Sequence, residues 1–213
     1  GSGVIVQKKG HKYTVLTAWH IFNDLEPGSQ FKIRTADNKI YKINQESIKQ
    51  INNLDMAIFS VESIINYEIA TLPDIMNIRR NDILFASGFA FRNFHFQKGK
   101  VIANAEVDIK EGNQLIYTNR IIPGMSGGAI FDLHGNLVGI NTMSNLISFE
   151  DKKSAYSIGV PISYYIKFIN GDSTLFSVEL TTLDDRLAKV TEINTEKGDQ
   201  ELVVNILEDS LDL

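Results

Sequence analysis

Cysteine is absent from the 213 residues of the chain. Its absence excludes disulfide bonds, thiolate metal sites and a cysteine nucleophile, and it leaves the cellular compartment open. The localisation is therefore unknown from the sequence, with the cytoplasm slightly favoured. The fold also has to hold without covalent cross-links, which is feasible because 43% of the residues are hydrophobic and can bury a sizeable core.

An excess of basic charge is also absent, because 21 basic residues face 26 acidic ones and give a net charge of −5. Nucleic-acid binders normally carry a basic stripe, so we expect no nucleic-acid partner. The longest stretch without charged side chains, residues 133–149, contains three asparagines and is therefore not a membrane span. We also infer no metal and no cofactor, because neither a metal-ligand spacing nor a phosphate-binding glycine loop occurs.

The acidic charge is concentrated at the end of the chain. Residues 171–213 hold 11 acidic and 3 basic side chains, whereas residues 1–170 hold 15 and 18. Turn residues at Asn170-Gly171-Asp172 coincide with this shift. We therefore predict a domain of residues 1–170 and an acidic, non-catalytic extension of residues 171–213 with one helix and one strand. The extension is expected to dock a regulatory partner or fused domain, with a covering flap for the domain as the alternative.

The first 170 residues are predicted to form a series of short strands separated by turns. Period-two alternation and turn residues recur at even spacing along this part of the chain. Such a pattern is typical of a β-barrel or sandwich, and only residues 162–169 resemble a helix. The expected strands are residues 4–6, 13–16, 31–34, 40–43, 56–61, 83–86, 100–103, 114–118, 129–131, 137–141 and 156–160.

The segment Gly124-Met125-Ser126-Gly127-Gly128 carries the sharpest chemical signal. Glycines around a serine let the backbone fold tightly, so that amide N–H groups converge beside the hydroxyl as an oxyanion hole. A glycine-rich hairpin turn without chemistry is the alternative for this motif taken alone. The motif also fits the nucleophile elbow of α/β-hydrolases, but that elbow needs a following helix and a later histidine. Here a strand follows Ser126, and the only later histidine, His134, lies in a turn.

Two further positions fit a serine nucleophile. His20 follows the apolar strand that ends at Leu16, and Asp55 directly precedes another buried strand. Taken alone, the histidine is more often a packed or solvent-facing imidazole, and the aspartate is more often a strand-start cap. Together with Ser126 they give the order His, Asp, Ser, which is the chymotrypsin arrangement of the catalytic triad.

These motifs resemble those of bacterial trypsin-like serine proteases, in particular the cysteine-free Deg or high-temperature-requirement type. The resemblance implies an all-β fold of two six-stranded antiparallel barrels, with a C-terminal helix, a short mixed extension and the triad between the barrels. No PDZ domain is expected, because residues 171–213 are too few for one. The matching segments lie within residues 1–165 and are Gly1-Ser2-Gly3-Val4-Ile5, Thr17-Ala18-Trp19-His20, Asp55-Met56-Ala57-Ile58, Gly124 to Gly128, and Ser157-Ile158-Gly159-Val160-Pro161.

The resemblance assigns a role to each matching position of the site. His20, Asp55 and Ser126 correspond to the catalytic triad of the family. The backbone N–H groups of Gly124 and Ser126 correspond to its oxyanion hole. The implied function is a serine endopeptidase, a trypsin-like hydrolase that acts on a protein or peptide substrate. The alternative is a protease-like module that binds peptides or regulates a partner without cleaving it.

Substrate-binding residues are implied in the same way. Ser157, Ile158 and Gly159 correspond to the strand that pairs with substrate and lines the specificity pocket. Arg120 lies six residues before Ser126, where the family often places a residue at the base of the S1 pocket. An inward guanidinium would favour an acidic P1 residue through a charge-assisted pair. A loop that turns Arg120 to solvent would instead leave a small apolar pocket.

Met125 departs from the family pattern, because the usual residue there is Asp or Asn. In digestive relatives an Asp at this position pairs with a newly cut amino terminus and orders the oxyanion loop. Met125 has no charge to offer, and a buried ammonium without a counter-ion would be unfavourable by several kcal/mol. We expect Met125 either to pack against apolar neighbours and hold the loop by shape, or to leave the loop flexible until a substrate or partner binds.

Overall fold

The computed structural model describes residues 1–23, 30–74, 76–104, 112, 114–149 and 152–171, and for residues 144–149 and 152–155 it describes only the backbone. Strands are the main regular secondary structure in this part of the chain, and one α-helix follows the last of them. The elements are β1 (Val4–Lys9), β2 (Lys12–Thr17), β3 (Lys32–Arg34), β4 (Ile40–Lys42), β5 (Lys49–Gln50), β6 (Ala57–Glu62), β7 (Ile83–Ala90), β8 (Asn93–Asn104), β9 (Leu115–Tyr117), β10 (Ala129–Phe131), β11 (Leu137–Phe149), β12 (Lys152–Pro161) and α1 (Ser163–Ile169), with 3₁₀ turns at Trp19–Phe22 and Gln45–Ser47.

The second half of the chain forms a closed barrel of six antiparallel strands. Their order around the barrel is β7, β8, β9, β12, β11 and β10. The barrel closes where β10 pairs with β7, with Ile130 opposite Ala86. Closure pairs the two edge strands, and it buries an apolar interior that includes Leu84, Val101 and Val138. One of the two predicted barrels is thereby confirmed.

The first half of the chain contributes two smaller sheets. One is four-stranded, in the order β1, β2, β6 and β5, and the other pairs β3 with β4. Alternation along β2 sends Tyr13 and Val15 into a cluster with Ile33 and Tyr41 of the small sheet, and Leu16 to the opposite face. Six strands are therefore present, and all of them except β5 contribute side chains to this apolar cluster. Their closure into a second barrel stays a prediction.

A further apolar cluster joins the two halves. Leu16 and Met56 of the first half pack with Ile140 of the barrel and with Tyr165 of α1. All four side chains are at most 2% exposed. The helix expected at residues 162–169 is confirmed, and its contribution is to cover this joint. The motif segments of the first half are continuous with Leu16 and Met56, so the joint positions them against the barrel.

The first part of β8 was missed by the sequence prediction. The strand begins at Asn93, whereas the prediction began at residue 100. Along this stretch Phe94 and Phe96 are exposed, while His95 and Gln97 are partly buried. Apolar side chains therefore face outward and polar ones inward. A pattern inverted in this way does not indicate a strand with a buried apolar face.

Residues 172–213 lie outside the described residues, and with them lie the helix and the strand expected in the acidic extension. The domain boundary after residue 170 therefore stays a prediction. In the part of the chain that is described, no helix is both long and apolar enough to cross a membrane.

Candidate active site

His20 lies on the single 3₁₀ turn that follows β2. The strand ends at Thr17, which is buried, and Ala18 is fully buried before the chain turns at Trp19. These residues anchor the turn, while the imidazole itself remains 42% exposed. The structure thus places the His20 imidazole, partly open to solvent, directly after a firmly packed strand end.

Asp55 is the buried partner of His20. Its carboxylate is 3% exposed. Oδ1 accepts the backbone N–H of His20, and Oδ2 pairs with Nδ1 of the ring, both at 2.8 Å. Because an ionised carboxylate can only accept, Nδ1–H is the donor of this hydrogen bond, and in a neutral ring Nε2 is then the acceptor nitrogen. The pair therefore fixes both the orientation of the ring and its tautomer.

A tight turn delivers Asp55 to this position. Asn52 and Asn53 both adopt the left-handed conformation, with φ of 46° and 58°. The N–H of Leu54 donates to the carbonyl of Ile51 at 2.8 Å. Asparagine tolerates this conformation better than most residues, because its short polar side chain can hydrogen bond locally. The two asparagines thus reverse the chain just before β6 and leave Asp55 at the lip of that strand.

Residues 124–128 form a tight turn between β9 and β10. Within the turn, the N–H of Gly128 donates to the Met125 carbonyl at 2.9 Å. Gly124 and Gly127 have φ of 105° and 81°, values that glycine adopts without steric cost. The glycines of the motif therefore allow the tight folding that the sequence predicted.

This turn packs directly against the segment that leads into His20. A Cβ added at Gly127 would lie 2.8 Å from the backbone nitrogen of Ala18, and it would also collide with the Thr17 hydroxyl. No side chain fits there. The structure thus packs the turn that carries Ser126 against Thr17 and Ala18, the two residues that lead into the 3₁₀ turn of His20.

The Ser126 hydroxyl donates a hydrogen bond to the backbone carbonyl of Thr142 on β11, at 3.1 Å. Ser126 is partly exposed. Within the described residues, the backbone N–H groups of Gly124 and Ser126 donate to no protein acceptor. Backbone N–H groups without a protein acceptor can donate to a negatively charged oxygen, and the predicted oxyanion hole of these two groups stays a prediction.

Asn141 holds the turn from the β11 side, and sequence analysis did not identify it as a site residue. Its backbone N–H donates to the Gly128 carbonyl at 2.8 Å, and its carbonyl accepts the Gly127 N–H at 2.7 Å. Its amide donates to the Ser87 carbonyl at 2.8 Å and accepts the Tyr117 hydroxyl at 2.7 Å. The sequence signal was an asparagine within an apolar strand, because a buried amide is stable only when its hydrogen bonds are satisfied.

Two buried side chains complete the support of the turn. Burial raises the pKa of the Tyr117 phenol, so its hydroxyl stays protonated and donates to Asn141 at neutral pH. Met125 is fully buried in the apolar cluster of the barrel, together with Ile121 and Ile130. The packing expected in the first alternative for Met125 is therefore confirmed, and its role of holding the loop by shape stays a prediction.

The predicted substrate-binding residues lie on two adjoining segments. The Ser157 hydroxyl oxygen accepts the N–H of Ile121 at 3.1 Å, which joins β12 to the chain just before the serine turn. Ser157, Ile158 and Gly159 are buried in the barrel wall, whereas Arg120 is exposed. This exposure favours the alternative in which Arg120 faces solvent. The substrate contacts of all four residues stay predictions.

The other histidines of the chain lie elsewhere. His11 and His134 are exposed in turns, and His95 is partly buried on β8. Among the described residues, no group of three or more His, Asp or Glu side chains is arranged to hold a metal ion.

Comparison with known proteins gives a family and several relatives. A family model described as a trypsin-like peptidase domain matches residues 1–140. The Do-like serine protease HtrA of Lactococcus lactis subsp. cremoris is 22% identical over 214 residues, which cover 94% of this chain and 51% of that protein. The Do-like serine protease HtrA of Lactobacillus helveticus is 25% identical over 150 residues, which cover 67% of this chain and 35% of that protein.

Among solved structures, a serine endoprotease from Yersinia pestis matches with a TM-score of 0.62 and 24% identity, over 80% of this chain and 56% of that one. A likeness at this level of identity supports the fold. The chain spans about half the length of the Lactococcus relative and about a third of the Lactobacillus relative.

Proposed function

The chain belongs to the trypsin-like peptidase domain family, and from that premise we propose that it is a serine endopeptidase whose catalytic triad is His20, Asp55 and Ser126. The observation that carries the proposal is the double hydrogen bond of Asp55 to His20 beside the glycine-rich turn of Ser126. A buried carboxylate that fixes the tautomer of an exposed imidazole is the arrangement that general-base catalysis requires.

Acylation begins when Ser126 Oγ attacks the scissile carbonyl carbon and its proton passes to Nε2 of His20. The carbonyl π electrons move to oxygen and give a tetrahedral oxyanion. His20 then returns the proton to the leaving amine as the C–N bond breaks, and the acyl group stays on Oγ. In deacylation a water molecule attacks the acyl carbon and gives a proton to His20. His20 returns this proton to Oγ as the ester C–O bond breaks, and the carboxylic acid product is released. The Asp55 carboxylate stabilises the imidazolium in both halves of the reaction.

The carbonyl of Thr142 is the resting partner of the nucleophile in this proposal. Attack requires the Ser126 hydroxyl to turn from Thr142, where it donates at 3.1 Å, toward Nε2 of His20. Catalytic hydrogen bonds commonly reach their final geometry only in the substrate complex. The same contact gives a specific ground for the second candidate function, a module that binds peptides without cleaving them, because a hydroxyl held by Thr142 is not activated.

The oxyanion hole of the proposed enzyme consists of the N–H groups of Gly124 and Ser126. Removing one such donor typically raises the barrier by about 3 kcal/mol, because fixed donors need no reorganisation as charge develops. Met125 supports the hole through apolar packing and without a charge. Activation by a freshly cut amino terminus is therefore not part of the proposed mechanism.

The proposed substrate is a protein or peptide. Its specificity pocket lies between the Arg120 segment and residues 157–159 of β12, which the Ser157 hydroxyl joins. We assign catalysis to residues 1–170, folded as two barrels, and docking of a regulatory partner or fused domain to the acidic residues 171–213. No step of the mechanism calls for a cofactor.

A cleavage screen tests the proposal. The full chain is incubated with a proteome-derived peptide library, and mass spectrometry records new peptide termini. Wild type should generate them with a consistent P1 preference, and Ser126→Ala should generate none. Library peptides that bind to wild type but stay intact would favour the non-cleaving module instead. Equal cleavage by wild type and Ser126→Ala would remove Ser126 from the chemistry.

A further inference from the structure

Ser2, which precedes β1, is bonded to the serine turn through both its backbone and its side chain. Its N–H donates to the Ser126 carbonyl at 2.6 Å, and its hydroxyl donates to the Gly124 carbonyl at 2.7 Å. The same hydroxyl accepts the N–H of Phe89 at 2.8 Å, and the Ser2 carbonyl accepts the Thr17 hydroxyl at 2.6 Å. One residue thus ties the turn to the end of β7 and to the end of β2.

The chemistry of the groups fixes the direction of these hydrogen bonds. The Phe89 N–H can only donate, so the Ser2 oxygen accepts there and its single proton is left for a carbonyl. The Gly124 carbonyl lies at 2.7 Å, whereas the alternative acceptor, the Phe89 carbonyl, lies at 3.4 Å. The Ser2 hydroxyl therefore donates its proton to the Gly124 carbonyl.

Gly124 needs such a partner because the backbone of a glycine is conformationally flexible. Its φ of 105° is reached freely by glycine, and it is left just as freely. A Cβ at this position would lie 2.7 Å from the Phe89 carbonyl oxygen, which explains why the residue is glycine. This close approach does not by itself determine the backbone dihedral angles of Gly124. Rotation about the backbone bonds of Gly124 would change the direction of its N–H relative to that of Ser126.

We propose that the Ser2 hydroxyl is a positioning group for the oxyanion hole. By holding the Gly124 carbonyl, it selects the backbone conformation in which the N–H groups of Gly124 and Ser126 point to one place. It contacts neither the substrate nor the reacting atoms. This inference rests on the proposed function and adds to it a side chain that lies outside the triad and 122 residues from Gly124 in sequence.

The variant Ser2→Ala removes the hydroxyl and keeps the two backbone hydrogen bonds of the residue. Loss of a whole oxyanion donor lowers kcat by about 10²–10³, so a loosened Gly124 should lower it by about 10- to 100-fold with KM changed less than about twofold. A peptide boronate, which binds as a tetrahedral adduct, should lose affinity in parallel with kcat. Ser2→Thr keeps the hydroxyl and should restore both quantities to within a few-fold of wild type.

Ser63→Ala is the matched control. The Ser63 hydroxyl also accepts a backbone N–H, that of Ile65 at 3.0 Å, and it shares a second hydrogen bond with the Tyr41 hydroxyl at 2.9 Å. Its backbone N–H bonds to His11, at the end of β2 opposite to Thr17. This variant should lose a similar amount of thermal stability to Ser2→Ala while kcat and boronate affinity stay at wild-type values.

The outcomes separate this inference from the proposed function. A Ser2→Ala variant with wild-type kcat and boronate affinity would overturn the role of Ser2 and leave the protease standing, as would an equal loss in Ser2→Thr. If wild type cleaves no peptide, the proposed function fails instead. The NMR chemical shifts of the Gly124 amide then test the positioning role of Ser2. They should change in Ser2→Ala and stay the same in Ser63→Ala. Unmoved resonances would overturn the positioning role.

Discussion

The two halves of the candidate site are fixed in different ways. In the first half, Asp55 holds His20 through two direct hydrogen bonds of 2.8 Å. In the second half, Ser126 lies on a turn of flexible glycines, and Ser2 and Asn141 stabilise this turn through hydrogen bonds. The geometry of the histidine is thus set by one pair, whereas that of the serine is set by its neighbours. Substitutions in the His20–Asp55 pair should therefore affect catalysis directly. Substitutions around the serine turn should affect it indirectly, through the position of Ser126.

The largest effect is expected when either reacting side chain is removed. Ser126→Ala or His20→Ala should each lower kcat by about 10⁶, and the double variant should be little worse, because the two residues act as one unit. Steady-state kinetics on a peptide from the cleavage screen measures this. Additive losses in the double variant would show that the two side chains act independently and would contradict the triad.

Removing the carboxylate should cost less. Asp55→Ala and Asp55→Asn should each lower kcat by about 10⁴, because the imidazole loses its orientation in the first and its correct tautomer in the second. Comparing the two variants separates the effect of the imidazole's orientation from the effect of its tautomer. An Asp55→Asn variant as active as wild type would mean that the charge and the tautomer of this pair do not matter.

A side chain in the serine turn should damage both stability and activity. Gly127→Ala forces alanine to φ of 81° and into the backbone of Ala18, whereas Gly135→Ala has nearly the same φ, 82°, and no neighbour within 4 Å. We expect the control to lose about 1–2 kcal/mol of unfolding free energy and no activity. Gly127→Ala should lose more and should lower kcat strongly. Equal behaviour of the two in denaturant melts and kinetics would show that the close packing of the turn is unimportant.

A smaller effect is expected one step further from the serine. Tyr117→Phe leaves the buried Asn141 oxygen without its donor, which should cost about 1–3 kcal/mol of stability and lower kcat several-fold. Tyr13→Phe is the control, because that hydroxyl is also bonded, to the Ile65 carbonyl at 3.0 Å, and lies in the other half. It should lose stability without losing kcat. The same kcat in both variants would show that Asn141 does not support the turn.

The smallest effect is expected at the acidic extension. Truncation after Asn170 should leave hydrolysis of a small peptide within a few-fold of the full chain, because residues 171–213 contain no histidine and no glycine-flanked serine. Circular dichroism confirms that the truncated protein is folded before the rates are compared. A folded but inactive truncation would assign the extension a part in catalysis.

The candidate triad could be predicted because each residue stands in a short local motif. The supports of the serine turn could not. Ser2 lies 122 residues from Gly124, and Asn141 lies 54 residues from the carbonyl of Ser87. No local pattern encodes which distant carbonyl a buried amide or a hydroxyl will reach, since that is decided by how the two halves pack.

The same distinction applies to the fold. Strands whose apolar side chains face inward, such as β2 with Tyr13 and Val15, follow the alternation that sequence analysis uses. The first part of β8 does not, because Phe94 and Phe96 lie on its outer face. Pairing with β7 makes that segment a strand, and this contact between strands is not visible in the segment itself.

Covalent labelling with a fluorophosphonate tests the central claim most directly, because the reagent needs an activated serine and no knowledge of the substrate. Intact mass and peptide mapping give the number and position of adducts in wild type, Ser126→Ala and His20→Ala. The account predicts one adduct on Ser126 in wild type and none in either variant on the same time scale. A wild-type chain that stays unlabelled, or that is labelled on another residue, would contradict it.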